Sequence, residues 1–332
     1  ESYAAKMAQR AINIMERPVE LLDKQFSLNF SIGIVFSPKD GVDIDSLFKH
    51  SDIAMYKAKE SGGQTYRMYE ESMNNEIIHR LNLEQDLKNA ITNNEFEMYY
   101  QPKTSLYTGE IEGLEALIRW HRPKGKNVSP AEFIPLAEES RLIHKIGNWT
   151  FESVCKQIHE WHEKFGDCVR IGVNLSGKQF EQPNLIENFK SIIKSEKIDP
   201  KYLEIEVTET AVMTNVKQAI HILEQFKELG VRIALDDFGS GYTSLGYLKL
   251  LPIDTLKIDQ SFVSNCMDNS NLAIIQGIIA ISQKMGFKTI AEGVETKEQH
   301  DFLKKETCDQ FQGYLCSKPL PAKEIEKLLY PG

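Results

Sequence analysis

Along most of the chain, short runs of apolar and β-branched residues alternate with longer segments whose apolar residues recur at helical spacing. Eight short runs follow one another in the C-terminal part, and we expect each to form a strand. They are residues 95–103, 111–120, 169–176, 203–209, 231–238, 255–259, 288–295 and 310–314. Helical stretches such as residues 148–165 and 215–230 separate most of them. This alternation predicts an α/β fold, a TIM-type (β/α)8 barrel rather than an open sheet.

The connection between the first two of these strands is too short to hold a helix. It runs from Lys103 to Ile111, and the sequence LYTGE within it is typical of a hairpin turn. Strands joined by a hairpin are antiparallel. We therefore predict a modified (β/α)8 barrel with one antiparallel strand.

The N-terminal part of the chain shows the pattern of a small α/β unit. Residues 7–18 form an amphipathic helical pattern that ends at Pro18, and residues 26–36 are rich in β-formers. Helical spacing returns over residues 43–61, with Gly62 as a stop signal.

A second helical segment, residues 70–94, leads from this unit to the barrel. Its apolar residues Ile77, Leu81, Leu87 and Ile91 fall on one stripe. We divide the chain into an α/β unit at residues 1–70, a connecting helix at 71–94 and the barrel at 95–332.

Polar residues suited to metal or phosphate chemistry stand where the apolar runs of the barrel strands end. They are Glu115, Asn174, Glu206, Asp236, Asp237, Lys257, Glu292 and Gln312. In a parallel barrel the carboxyl ends of the strands share one face, where such enzymes place their chemistry. We expect these side chains to converge on one site.

Converging carboxylates repel one another unless cations lie between them. Oxygen ligands without His or Cys favour Mg²⁺ or Mn²⁺ over zinc. The neighbours Asp236 and Asp237 suit two ions, one carboxylate bridging them and the other binding the second. Two such ions could clamp a phosphodiester and activate the attacking water. Lys257 is the one cation of the set, suited to a phosphate oxygen or to that water.

Each of these residues also has a simpler interpretation when taken singly. An acid at a strand end is more often a helix cap or a surface residue, and Gly239 and Gly241 could serve a tight turn alone. The triplet D-F-G at residues 237–239 also occurs in protein kinases, but the other kinase motifs are absent from the sequence. The set as a whole favours a metal site.

The composition argues against several classes of protein. The 332 residues carry a formal net charge of −9, which argues against binding of a nucleic-acid polymer through bulk electrostatics. The five cysteines show no C-x-x-C pair, so neither a disulfide framework nor a zinc site is indicated. No apolar run approaches the length of about 18 residues of a membrane span. We expect a cytoplasmic protein, or the cytosolic part of a membrane-anchored one, without membrane contact in this fragment.

The sequence EALIRW, residues 115–120, resembles the signature of the EAL domain family. Further blocks resemble that family in the same order: VNLSGKQF (173–180), EVTET (206–210), DDFGSGYTSL (236–245), LKID (256–259), AEGVET (291–296) and QGY (312–314). The resemblance covers roughly residues 80–330. It implies hydrolysis of cyclic di-GMP to linear 5'-pGpG by a two-metal mechanism on a (β/α) barrel.

The resemblance also implies metal ligands. Glu115, Asn174, Glu206 and Asp236 would hold the first ion, and Asp236 would bridge to a second ion near Asp237 and Glu292. We expect two Mg²⁺ or Mn²⁺ ions per site and inhibition by Ca²⁺. Lys257 would contact the water between the ions, and Glu292 would be a second-ion ligand or the catalytic base.

Other positions are implied to contact substrate or to couple the site to assembly. Gln101, Leu117 and Arg119 match substrate-contacting positions, with Arg119 on a phosphate oxygen, and Gln312 would contact the region of the second ion through hydrogen bonds. Glu209 would tether the loop 236–245, which in the family is coupled to dimerisation. A homodimer through this domain is therefore expected.

The first part of the chain, residues 1–70, resembles the C-terminal part of a GGDEF (diguanylate cyclase) domain. The family's phosphate-contacting Lys and Arg fall on Lys59 and Gly63, so the arginine is lost, and the GGDEF signature would lie upstream of residue 1. We expect no cyclase activity from this fragment, with upstream GGDEF and sensor regions of the same protein as partners.

The complete set of expected ligands predicts an active phosphodiesterase. One alternative is a catalytically silent receptor that binds cyclic di-GMP and signals through a dimer or linker rearrangement. Another is a phosphodiesterase that prefers pGpG or a different nucleotide.

Overall fold

The computed structural model describes residues 1–15, 19–21, 24–26, 29–123, 127–239 and 245–330. The chain forms two compact units, Glu1–Asp86 and Leu87–Gly332. The three-part division made from the sequence stays a prediction. Within the described ranges, no helix combines the length and the apolar character that a membrane crossing requires.

The first unit contains two small two-stranded sheets. Its elements are α1 (Ser2–Met15), β1 (Val19–Leu21), β2 (Lys24–Phe26), β3 (Ser31–Ile34), α2 (Ile44–Glu60) and β4 (Thr65–Met68). Strands β1 and β2 pair antiparallel, and β3 and β4 pair parallel with α2 as the crossover between them. Gly33 lets α2 lie directly on β3, since a Cβ there would stand 2.0 Å from the backbone oxygen of Ser51.

Helix α3 (Glu71–Ala90) begins in the first unit and ends four residues into the second. The apolar stripe predicted for it is only partly right. Leu87 is fully buried, but Leu81 is 60% exposed, and Ile91 lies beyond the last helical residue. Leu83, which lies off the predicted stripe, is buried instead.

The second unit is built on a sheet of ten strands. These are β5 (Phe96–Ser105), β6 (Ile111–His121), β7 (Asn127–Val128), β8 (Arg170–Asn174), β9 (Leu203–Thr208), β10 (Arg232–Phe238), β11 (Thr255–Ile258), β12 (Lys288–Ala291), β13 (Gln310–Phe311) and β14 (Leu320–Pro321). All eight predicted strands are present. Those at 288–295 and 310–314 are shorter than predicted.

Helices cover the outside of this sheet. They are α4 (Pro130–Glu139), α5 (Ile143–Phe165), α6 (Leu185–Glu196), α7 (Glu209–Thr214), α8 (Val216–Glu228), α9 (Leu245–Leu248), α10 (Gln260–Ser264), α11 (Asn269–Met285), α12 (Lys297–Lys305) and α13 (Ala322–Leu329). Short 3₁₀ turns lie at Gly177–Glu181 and Pro200–Tyr202. Phe189 of α6 joins its neighbours in the core, because its ring stacks on Phe151 at 3.8 Å and meets Phe226 edge-on.

Eight of the strands close into a barrel. From β6 the order runs through β8, β9, β10, β11 and β12 to β13, with every neighbouring pair parallel. Strand β5 closes the ring, since it pairs antiparallel with both β6 and β13. Strands β7 and β14 extend β6 and β5 outside the ring. The predicted modified TIM barrel with one antiparallel strand is confirmed.

Gly313 lies two residues after the end of β13 and sets how closely the chain there approaches the loop that follows β12. A Cβ at this position would lie 2.2 Å from the oxygen and 2.3 Å from the nitrogen of Val294, both backbone atoms. The same two groups are hydrogen-bonded to Gln312 and Leu315, so Val294 is held in place.

The variant Gly313→Ala should therefore lower the free energy of unfolding by about 1–3 kcal/mol. Gly277→Ala is the control, because Gly277 lies inside α11 with nothing within 4 Å of a new Cβ. We expect that control to gain about 0.5–1 kcal/mol from helix propensity. Denaturant unfolding of both variants measures the difference, and equal stabilities would contradict the close approach at Gly313.

Candidate metal centre

The strand ends predicted from the sequence do meet at one mouth of the barrel. An in-register pair places Asn174 on β8 beside Glu206 on β9. The side chain of Glu115 on β6 reaches the Asn174 amide at 2.7 Å, so the polar side chains of these three strands meet. Strand β6 continues past Glu115 to His121 because β5 and β7 pair with it there. Glu115 is thus a mid-strand residue, yet its side chain lies level with the ends of the other strands.

Lys257 occupies the centre of the site. Its side chain is fully buried, and Nζ lies 2.5 Å from Glu206 Oε2, 3.0 Å from Asp236 Oδ2 and 3.6 Å from Glu115 Oε2. A fourth carboxylate, that of Glu292, stands 2.7 Å away. Burial disfavours the ammonium form, but the surrounding carboxylates outweigh it and raise the pKa of Lys257 well above its usual value.

The carboxylates form two clusters that share one member. Oxygen atoms of Glu115, Glu206 and Asp236 all lie within 4.8 Å of one another, and the same holds for Asp236, Asp237 and Glu292. Asp236 is common to both clusters. The geometry therefore offers two neighbouring places for a cation with one carboxylate between them.

The backbone explains how two consecutive residues serve one cluster. In a regular strand, Asp236 and Asp237 would point to opposite faces. Here the pairing with β11 shifts between Leu235 and Phe238, and Asp237 adopts a left-handed φ of 55°. The amide of Asp237 donates to Oδ1 of Asp236 at 2.9 Å. This irregularity turns Asp237 toward the mouth of the barrel.

The charges of the site are not balanced. Burial, followed by the charge of Asp236, raises the pKa of Asp237 to about 6. Burial raises the pKa of Glu292 to about 8 and also raises the pKa of Glu115, although the positive charge of Lys257 opposes both shifts. Glu206 differs, because Lys103 and Lys257 overcome the effect of burial and lower its pKa to about 2. The carboxylates around Asp236 need more positive charge than Lys257 supplies.

Divalent cations with a preference for oxygen fit this donor set. Both clusters consist of carboxylates, with no His or Cys in either. Mg²⁺ and Mn²⁺ take such ligands, and a cation at each cluster would offset the burial and the repulsion that together raise the pKa of Glu292. The residues present therefore fit the ions implied by the sequence.

Amide side chains hold Glu115 from both sides. Asn174 Nδ2 donates to Oε1 at 2.7 Å, and Gln312 Nε2 donates to Oε2 at 2.6 Å. The same Nε2 lies 3.0 Å from Gln101 Oε1, which links Gln101 to the site. Gln312 Oε1 is buried without a hydrogen-bond partner among the described residues. This oxygen is available to accept a hydrogen bond from a bound molecule.

Two cavities open beside the carboxylates. One, of about 240 Å³, is lined by Gln101, Glu115, Glu292 and Gln312. The other, of about 320 Å³, is lined mostly by apolar residues together with Arg119 and Asn174. Leu117 lines both cavities, so the two adjoin each other along β6. The half-buried guanidinium of Arg119 lies over the ring of Tyr99, 5.4 Å from its centre.

Glu209 contacts the segment that leaves the site. Thr208 caps α7 by accepting a hydrogen bond from Ala211, which places Glu209 in the first turn of that helix. The buried Oε2 of Glu209 then accepts from the amide of Gly239 at 3.1 Å. The rest of the predicted coupling loop, residues 240–244 with Gly241, lies outside the described residues.

Two charged residues of the barrel interior were missed from the sequence. Lys103 and Glu204 are both buried, and Nζ of Lys103 lies 2.6 Å from Glu204 and 2.5 Å from Glu206. Their positions in the strands could have revealed them. Lys103 is two residues from Gln101, and Glu204 is two residues from Glu206, so strand alternation places each pair on one face.

The raised pKa of Glu292 gives metal binding a pH dependence. With a pKa of about 8, this carboxyl holds a proton at neutral pH until a cation displaces it. We therefore expect Mg²⁺ binding to release protons at pH 7 and to tighten as the pH rises toward about 8. Calorimetric titration in buffers of different ionisation enthalpy measures the release. Binding that is independent of pH between 6 and 8.5 would contradict it.

Comparison with known sequence families gives two matches. The model of the EAL domain matches residues 84–319, and that of the diguanylate cyclase GGDEF domain matches residues 1–65.

Curated relatives match along nearly the whole chain. It is 40% identical over 324 residues to the signaling protein YkoW of Bacillus subtilis, covering 97% of this chain and 40% of that protein. It is 34% identical over 328 residues to the cyclic di-GMP phosphodiesterase PdeR of Escherichia coli, covering 98% and 49%. The chain thus spans about half or less of these relatives.

A solved structure of the MucR phosphodiesterase in complex with cyclic di-GMP is also similar. The TM-score is 0.71 at 38% identity, over 74% of this chain and 99% of that one. MucR is described as a bifunctional diguanylate cyclase and cyclic di-GMP phosphodiesterase of Pseudomonas aeruginosa.

Proposed function

The chain belongs to the EAL domain family, and we propose that it hydrolyses cyclic di-GMP to linear 5'-pGpG with the help of two divalent cations. The observation that carries this proposal is the pair of carboxylate clusters joined by Asp236 at the mouth of the barrel. Relatives named cyclic di-GMP phosphodiesterases and a MucR structure with cyclic di-GMP support the substrate.

We assign Mg²⁺ or Mn²⁺ to the two clusters. Glu115, Asn174, Glu206 and Asp236 would hold the first ion, and Asp236, Asp237 and Glu292 the second. When bound, the two ions supply positive charge for the phosphodiester oxygens and lower the pKa of the attacking water. The amide of Asn174 lies beside Glu115, which is the position this assignment requires.

Lys257 and Glu292 are suited to handle the attacking water. The Lys257 ammonium group is held between the two clusters and can donate a hydrogen bond to the water oxygen. Glu292, once deprotonated, either accepts the water's proton at its carboxylate or serves as a ligand of the second ion. The water oxygen bonds to phosphorus while its proton passes to Glu292 or to solvent, the P–O3' bond breaks, and the leaving O3' takes up a proton from solvent to become the 3'-hydroxyl. The product is linear 5'-pGpG.

The polar and apolar walls of the two cavities would orient the dinucleotide. Arg119 would pair with a phosphate oxygen, since a guanidinium offers two parallel donors to such a group. The unpaired Oε1 of Gln312 would accept a hydrogen bond from a base or a ribose, and Gln101 would hold Gln312 in that orientation. Leu117 would pack between the two halves of the substrate.

We also propose that the chain forms a homodimer through the barrel, and that Glu209 links the loop 236–245 to that interface. Four large apolar side chains between residues 247 and 274 are exposed and are candidates for this surface. They are Tyr247, Leu250, Met267 and Ile274. A cytosolic location and upstream sensor regions remain part of the proposal.

The variant Glu115→Ala tests the site directly. Incubation of the purified chain with cyclic di-GMP and Mg²⁺ or Mn²⁺ should yield pGpG on chromatography, and Glu115→Ala should lower the rate at least about 100-fold. Glu112→Ala is the matched control, because Glu112 lies three residues earlier on β6 and pairs with Lys288 at 3.2 Å. We expect this control to keep its activity.

Two results would contradict the assignment. Full activity of Glu115→Ala would show that the chemistry lies elsewhere. Binding of cyclic di-GMP by the unaltered chain without pGpG formation would instead make the protein a receptor.

Calcium provides a second test. Ca²⁺ prefers longer bonds and more ligands than Mg²⁺, so it should occupy the clusters but misplace the attacking water. We expect Ca²⁺ to inhibit the Mg²⁺-supported rate competitively while leaving cyclic di-GMP bound. Equal turnover with Ca²⁺ and Mg²⁺ would refute this.

A further inference from the structure

A second layer of charged residues lies inside the barrel, one step below the carboxylate clusters. On β9, Glu204 is two residues from Glu206, and on β11, Thr255 is two residues from Lys257. Thr255 Oγ1 donates to Glu204 Oε2 at 3.3 Å, and Lys103 contacts the other oxygen, Oε1. This layer is buried, with Lys103 only 3% and Glu204 only 4% exposed.

Lys103 reaches Glu206 across the interior of the barrel. Its strand, β5, is separated from β9 by β6 and β8. Both intervening strands carry glycine where the lysine passes. A Cβ on Gly113 would lie 3.6 Å from Lys103 Cδ, and one on Gly172 would lie 2.8 Å from Nζ and 1.8 Å from Glu206 Oε1. Gly172 thus leaves room for the contact between Lys103 and Glu206, whereas a Cβ on Gly113 would only be in ordinary van der Waals contact with the lysine.

Each oxygen of the Glu206 carboxylate contacts a different lysine. Lys103 Nζ lies 2.5 Å from Oε1, and Lys257 Nζ lies 2.5 Å from Oε2. Lys257 also contacts Glu115 and Asp236, so Oε2 is the oxygen that faces the first cluster. Glu206 has no solvent exposure, and its orientation is set by these two contacts.

We propose that Lys103 is a positioning residue of the metal centre: by holding Oε1 of Glu206 it keeps Oε2 directed at the first cation site. Second partners of metal ligands commonly fix the orientation of those ligands. The other contact of Lys103 is Glu204 Oε1, and a glutamine at position 204 keeps an oxygen that can accept the same hydrogen bond. The inference rests on the proposed use of the clusters as cation sites.

The test compares two variants that share one substitution. Lys103→Met alone would leave Glu204 buried without a cation and could fail to fold. The double variant Lys103→Met/Glu204→Gln removes both charges, and Glu204→Gln alone is its control because Lys103 still holds Glu206. Circular dichroism and Tm establish that both fold. Mn²⁺ binding is then titrated by electron paramagnetic resonance without nucleotide, and kcat and KM for cyclic di-GMP are measured separately.

We expect the control to bind Mn²⁺ as the unaltered chain does, and the double variant to bind it about 10- to 100-fold more weakly. Its kcat should fall with KM nearly unchanged. If Lys103 only balanced charge, its removal would tighten Mn²⁺ binding, so equal or tighter binding would overturn the proposal. Equal weakening in the control, or no Mn²⁺ binding by the unaltered chain, would also overturn it. The expected Mn²⁺ pattern without any turnover would support positioning and refute the phosphodiesterase.

Discussion

The ion contacts of the Lys257 ammonium group hold the mouth of the barrel together. A fully buried ammonium group loses several kcal/mol of hydration, and only close carboxylates offset that loss. Glu115, Glu206, Asp236 and Glu292 all contact it, so one charge on β11 ties together β6, β9, β10 and the residue that follows β12. Burial, followed by repulsion from Asp236 and Glu115, raises the pKa of Glu292 to about 8 even beside Lys257. The four carboxylates therefore require the positive charge of Lys257, and further positive charge beside them would still be favourable.

Strand topology explains why much of this site could be predicted from the sequence. In a parallel barrel, the polar residues at the ends of the apolar runs all lie at the same face of the barrel. Glu206, Asp236 and Lys257 are found together there. The short connection after Lys103 also predicted the antiparallel strand, because two strands joined by a hairpin pair antiparallel. In both cases a local pattern determines a long-range arrangement.

The residues that were missed depend on contacts between strands far apart in sequence. A lysine in a strand is usually exposed, and the partners of Lys103 stand 101 and 103 positions away on β9. The orientation of Asp237 was also not predictable, since it depends on a register shift against β11 and a left-handed backbone. The exposed Leu81 shows that helical periodicity alone does not decide which face of a helix is covered.

Crystals grown with Mn²⁺ and cyclic di-GMP would show whether Asp236 joins two cation sites. Anomalous diffraction from manganese locates each ion independently of the surrounding protein. We expect two manganese ions that both contact Asp236, one beside Glu115 and Glu206 and the other beside Asp237 and Glu292. A single peak, or two peaks that do not share Asp236, would contradict this arrangement.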